Sequence, residues 1–111
     1  MEIKQFDIWL ANLNSSKGTE AGKTRPVVVV QTDLLNAVHL STLICPVTTN
    51  VQPKLEYLRV HLTKGQLPEV SDVLVDQVRA IDNTRLITKL GRLTENQQKK
   101  LKANLSIMLD L

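Results

Sequence analysis

Hydrophobic and polar positions along this chain follow two periods. From Asp7 to Leu93 the apolar residues fall in short runs or alternate singly, as β-strands require, and from Thr94 they recur at helical spacing. DIWLANL, residues 7–13, predicts a first strand, and the loop formers of residues 14–24 separate it from the next. RPVVVVQT, residues 25–32, is a β-branched run with Pro26 at its start, where a missing N–H is tolerated; it predicts a strand packed on both faces. DLLNA (33–37) turns the chain. HLSTLICPVTT (39–49) predicts the following strand, with Pro46 marking a bulge or an edge near its end. LEYLRVHL (55–62) alternates as a half-buried strand would. DVLVDQVRAID (72–82) and RLITKLGRL (85–93) predict two more, meeting around Asn83.

The last segment changes period. Leu101, Leu105, Met108 and Leu109 fall at i, i+4, i+7 and i+8, which predicts an amphipathic helix with these four on its buried face. Thr94 and Gln97 supply a T-x-x-Q capping box at its start, satisfying amide donors that the first turn leaves without partners. The fold class expected is mainly β with a C-terminal α-helix, a small, strongly curved antiparallel barrel on which the helix packs. No repeat or linker interrupts the 111 residues, which are expected to form one domain, 1–111, burying about two-thirds of the unfolded chain's surface.

Composition and charge narrow the classes of function. The net charge is +3, and the excess is uneven: up to Val78 there are seven Lys and Arg against eight Asp and Glu, and from Arg79 onward seven against three. Such a basic third attracts phosphates or an acidic peptide, although a solvated helix face gives the same count. The N-terminal residues lack a basic-then-apolar leader and no stretch is long enough to span a membrane, so a cytoplasmic location is expected. The single cysteine, Cys45, agrees with a reducing compartment and reads as a buried structural thiol.

Elimination removes several chemistries. His39 and His61 are the only histidines, too few for a three-histidine metal site and not in ligand spacing, so no metal is expected. There is no phosphate-binding glycine loop and no dinucleotide fingerprint, and no cofactor is expected. Phe6, Trp9 and Tyr57 are all the aromatics, little material for stacking bases, and Trp9 reads as core packing.

The set DIWLANL, KGTEAGKTRPVVVVQ, ICPVTTN and VLVDQVRAID followed by GRL resembles, in order and spacing, the MazF/PemK (Kid) family of toxin endoribonucleases from bacterial toxin–antitoxin modules. Its most specific piece is G-[ST]-E-x-x-x-x-R-P ahead of a valine-rich strand. The resemblance implies an SH3-like barrel of the CcdB/PemK kind, a homodimer, metal-independent cleavage of single-stranded RNA, messenger RNA above all, and control by an acidic antitoxin. Residue by residue, it implies that Arg25 and Thr48 are the catalytic pair. Glu20, Thr49, Asp76 and Gln77 are implied in support, with Glu20 or Asp76 as the carboxylate able to accept a proton. Leu74 stands where the Kid branch carries a proposed catalytic arginine, which favours the Arg25/Thr48 arrangement.

Physical chemistry makes the pair reasonable. Attack of a 2′-hydroxyl on the neighbouring phosphate gathers negative charge on the phosphoryl oxygens, and a planar guanidinium donates to two of them at once. Lys17, Lys23, Arg79 and Arg85 are candidate RNA contacts, with Lys89 and Arg92 as further possible groove residues, while the loops at 14–24 and 50–56 are where base preference would be encoded. Two other classes fit a barrel: a non-enzymatic, CcdB-like poison that traps a protein such as gyrase, and an SH3-like peptide-binding module, for which the aromatics are too few.

Overall fold

The computed structural model describes residues 2–14 and 23–111. Seven strands are present: β1 (Asp7–Asn12), β2 (Thr24–Val29), β3 (Ser41–Thr48), β4 (Arg59–Leu62), β5 (Ser71–Leu74), β6 (Arg79–Asp82) and β7 (Leu86–Arg92). A short helix α1 (Asp33–Asn36) follows β2, and α2 (Glu95–Leu109) follows β7. The strands pair antiparallel in the order β4-β5-β3-β2-β1-β7, with β6 also on β3. The sheet therefore curls without closing, because β4 and β7 stay at its ends. Among the described residues no helix is long and apolar enough to cross a membrane.

The valine run explains the centre of this sheet. Val28 points into a core with Ile8, Cys45, Val47, Val60, Val73 and Leu101, and Val27 and Val29 point the other way, into a second cluster with Trp9, Ala11, Leu13, Ile44 and Ile81. Both faces of β2 are thus apolar and covered, as expected. Pro26 pairs with Leu10 of β1 and precedes the first β2–β3 pair, Val27 with Pro46, so its missing N–H costs the β3 ladder nothing.

Pro46 marks neither a bulge nor an edge. β3 is central, and its other side pairs with β6 up to Ile44 and with β5 from Val47. Pro46 sits where one partner ends and the next begins, a place at which no donor is needed. The expected strand 72–82 is likewise divided: a 3-10 turn, Val75–Gln77, breaks it into β5 and β6 so that the chain can serve both halves of β3. The expected strand 55–62 forms only from Arg59, and residues Leu55 to Leu58 lie exposed in turns ahead of it.

The capping box is present as predicted, with Thr94 Oγ1 accepting from Gln97 N and Gln97 Oε1 from Thr94 N. Gln97 does more. Its Nε2 donates to His61 O on β4 at 3.1 Å, and it exchanges hydrogen bonds with Gln66, which itself donates to Arg92 O on β7 at 3.2 Å. Two glutamines thereby bridge the gap that the ladder leaves open. On α2, Leu101 is fully buried and Leu105 and Met108 pack against the core, but Leu109 is exposed. The helix's other buried position is polar, Asn104, whose Nδ2 donates to Arg59 O at 3.0 Å.

Candidate active site

β2 and β3, which carry the two residues of the expected pair, are neighbouring strands. Val27, Val28 and Val29 face Pro46, Cys45 and Ile44, and the same register continued toward the end of β3 sets Arg25 opposite Thr48. Arg25 Nη1 donates to Val47 O at 3.5 Å, next to Thr48 in the chain. Both residues are partly buried. Thr48 Oγ1 accepts from Asn50 N at 3.1 Å, which orients the hydroxyl and starts the turn that follows.

Thr49 lies just past the end of β3. It lines a cavity of about 440 Å³ with Pro26, Leu10, Leu67 and Leu90, on the side toward which Pro26 points and away from Arg25. Asp76 and Gln77 lie on the turn between β5 and β6, Asp76 exposed. Asp76 is close enough to act on Cys45, whose thiol is pushed up to about 12 by burial first and by that negative charge second. Lys17 and Glu20 lie outside the described residues.

The basic candidates divide. Lys23 pairs with Asn14 and Leu13 in a neck beside the end of β1, its N–H donating to Asn14 O at 2.7 Å and its carbonyl accepting from Leu13 N at 2.9 Å, with a φ of 63°. Arg85 reaches the same neck: Nη1 donates to Asn12 O at 3.4 Å and, with the Asn14 amide turned to satisfy both ends, to Asn14 Oδ1 at 3.0 Å. These two therefore stand at the end of the sheet where Ala11 pairs with Arg25. Arg79 pairs with Ile44, further along β3. Lys89 and Arg92, each about half exposed, have a structural partner as well. They neutralise the buried carboxylate of Asp7, at 3.3 and 3.1 Å. Part of the basic excess of the last third thus balances a buried carboxylate.

One group of polar residues was missed by sequence reasoning. Thr48 pairs with Asp72 and Asp72 with His61, so three neighbouring strands carry Thr48, Asp72 and His61 in one row on the same face. Asp72 is fully buried, with its carboxylate held by Gln52 N, Arg59 and His61. The alternation of Arg59 and His61 with Val60 and Leu62 was a signal of a polar face on β4, but nothing local tied it to Asp72. Among the described residues no three His, Cys, Asp or Glu side chains cluster as ligands of a metal ion would.

Comparison with known proteins adds the decisive observation: the family described as PemK-like, MazF-like toxin of type II toxin–antitoxin system matches residues 4–109. The chain belongs to this family. Among curated proteins it is similar to the endoribonuclease MazF of Staphylococcus saprophyticus, 29% identical over 111 residues that cover 98% of this chain and 92% of that one. Among solved structures it resembles MazF from Deinococcus radiodurans, with a TM-score of 0.84, 23% identity and 100% and 99% of the two chains covered. The MazE–MazF complex of the same organism gives 0.78, 23%, 100% and 98%. The curled sheet with its terminal helix is therefore the MazF toxin fold, and the family is one of toxin endoribonucleases in toxin–antitoxin modules.

Proposed function

We propose that this MazF-family chain is a toxin that acts as one domain in the cytoplasm, cutting single-stranded RNA, messenger RNA above all, at short sequences without a metal. Arg25 and Thr48 carry the reading: β2 and β3 pair antiparallel, and the Arg25 guanidinium donates to the carbonyl of Val47, the residue before Thr48, which supports a guanidinium and a hydroxyl acting together from residues 23 apart in sequence. The fold alone would serve equally well for a poison that traps a protein. The pair is what favours chemistry.

The substrate supplies its own nucleophile. As the 2′-hydroxyl oxygen bonds to phosphorus, the bond to the 5′-oxygen of the next nucleotide breaks and that oxygen takes up a proton from water, leaving a 2′,3′-cyclic phosphate and a free 5′-hydroxyl. Arg25 donates to the phosphoryl oxygens as charge grows on them, and each preorganised donor of this kind contributes about 3–4 kcal/mol to lowering the barrier. Thr48, stiff at its branched side chain, adds a second donor. The nucleophile's proton goes to a carboxylate, Glu20 or Asp76, since a guanidinium is never a useful base. Gln77 and Thr49 keep supporting roles, and Lys17, Lys23, Arg79 and Arg85 are assigned to the RNA backbone.

The partners follow. The D. radiodurans neighbour is a MazE–MazF complex, which supports an antitoxin for this chain too, an acidic segment that occupies the RNA surface of a homodimer. The deciding experiment uses a single-stranded RNA with one 2′-deoxy sugar immediately upstream of the cut site. It should bind and resist cutting, and the normal substrate should yield a 5′-hydroxyl end with or without a chelator. Normal cleavage of the deoxy substrate, or a 5′-phosphate on the product, would mean that another nucleophile attacks.

A further inference from the structure

The buried carboxylate of Asp72 is connected to the backbone that leaves Thr48. Gln52 N donates to its Oδ2 at 2.8 Å, Arg59 Nη1 donates to the same oxygen at 3.1 Å, and His61 Nδ1 lies 2.6 Å from Oδ1. The same Arg59 Nη1 donates to Asn50 O at 2.9 Å. Asn50 N in turn donates to the Thr48 hydroxyl. Further along, Glu56 lies 3.8 Å from His61 Nε2 and 3.5 Å from Lys100 Nζ. Residues 49–58 form no strand or helix and are largely exposed, so these polar ties carry much of what fixes them.

A carboxylate taken wholly out of water is a poor way to gain stability. Its desolvation offsets most of the attraction to Arg59, and an apolar residue of similar size often does as well. What such a buried network supplies is one defined geometry. Here that geometry belongs to the segment directly after a proposed catalytic residue. We infer that Asp72 is a positioning residue for specificity: by holding Gln52 directly and Asn50 through Arg59, it fixes the shape of the 49–58 surface against which bases beside the scissile phosphate are read. Recognition of single-stranded RNA depends on splayed bases meeting loop groups held in place, so a loosened segment discriminates less. This rests on the RNA-cleavage reading above.

Two substitutions and two readouts test it. Asp72→Asn keeps the shape but removes the charge and one acceptor, and His61→Gln removes the imidazole while leaving the carboxylate on Arg59, a milder change at a half-exposed side chain. Hydrogen exchange at the Asn50 and Gln52 amides should accelerate at least tenfold in Asp72→Asn, less in His61→Gln, with the β2 amides unchanged. On a pool of random single-stranded RNA, kcat/KM at the preferred site should fall by about 100-fold, as expected for a misplaced group. Weakly cut sites should change little, so that the preference flattens. A merely structural role would instead lower cutting at all sites by one common factor, and that result overturns the proposal, as does unchanged exchange at Gln52. A wild-type protein that cuts no RNA removes the nuclease reading and the specificity role with it, while the exchange measurement still decides whether Asp72 holds the segment.

Discussion

Arg25 donates from Nη1 to the carbonyl of Val47 at 3.5 Å, across the last turn of the β2–β3 ladder. The contact is at the long limit for a hydrogen bond, so it orients the guanidinium more than it stabilises the fold. A charge at the mouth of a strand contributes little to the core, so Arg25→Ala should leave melting within about 1 kcal/mol of wild type and reduce cutting by at least 100-fold. Arg25→Lys should recover little, because one ammonium cannot present two parallel donors. Near-normal cutting by the alanine variant would remove the centre of the functional reading.

Thr48 and Thr49 are chemically identical, and only their surroundings distinguish them. Thr48 shares a face with Asp72, whereas Thr49 lines the cavity beside Pro26. Thr48→Val preserves the branched shape and deletes the hydroxyl, and it should lower kcat by roughly 100-fold with KM little changed. Thr49→Val, at a supporting position, should lower kcat far less. The opposite pattern, read from single-turnover rates, would move the donor to the other face.

Legibility in the sequence followed the range of the interaction. The valines of β2 and the T-x-x-Q box of α2 were readable because burial on two faces and capping are local patterns, spelled within a few residues. The pairing of Lys89 and Arg92 with Asp7 spans more than 80 positions and looked like a free basic stretch until the fold brought β1 beside β7. Asp72 was invisible for the same reason: its partners are Gln52, Arg59 and His61, and only the β4–β5 register shows that one carboxylate faces all three. Residues 55–58 alternate well enough for a strand, yet form none, because β4 begins its pairing with β5 only at Arg59. The candidate pair itself could be named from the family resemblance, but its adjacency needed the ladder.

The glutamine bridge predicts a stability effect away from the site. Gln97→Ala would delete one half of the capping box and leave His61 O and Gln66 without their partner, a loss of about 2 kcal/mol. Gln66→Ala, which breaks the link to β7 but spares the cap, should cost less. Denaturant midpoints measure both, and equal losses would show that the bridge, not the cap, dominates.

The proposed homodimer requires a self-complementary surface. Leu34, Val38 and Leu40 are 86%, 76% and 82% exposed around α1 and the start of β3, beside β6, which within this chain pairs only with β3 among the described residues. Apolar side chains gathered next to an open strand edge suit a second copy. Leu40→Lys should convert the dimer to monomer at micromolar concentration with the fold intact, as seen by sedimentation. A variant that sediments like wild type places the interface elsewhere.

Cys45 offers a test of the core itself. Its side chain is fully buried, and the thiol is pushed up from 9.0 to about 12, chiefly by burial and secondly by the charge of Asp76. Alkylation needs an exposed thiolate, so in the native protein the rate should be limited by opening of the structure and rise only with denaturant. The sign of the pH effect follows. Because the folded state holds the proton more tightly than the unfolded chain, the stabilisation is complete below pH 9, shrinks as the unfolded thiol ionises above it, and is exhausted near pH 12. Lysines and Tyr57 titrate in the same range, which Cys45→Ala separates: the variant should be less stable than wild type by a fixed amount at pH 7–8, from the lost sulfur contacts, and the gap should narrow steadily toward pH 11. Unfolding curves of the two proteins at four pH values measure that gap. A gap independent of pH, or a native thiol that reacts within minutes at pH 8, would mean that the β3 core opens far more easily than its packing indicates.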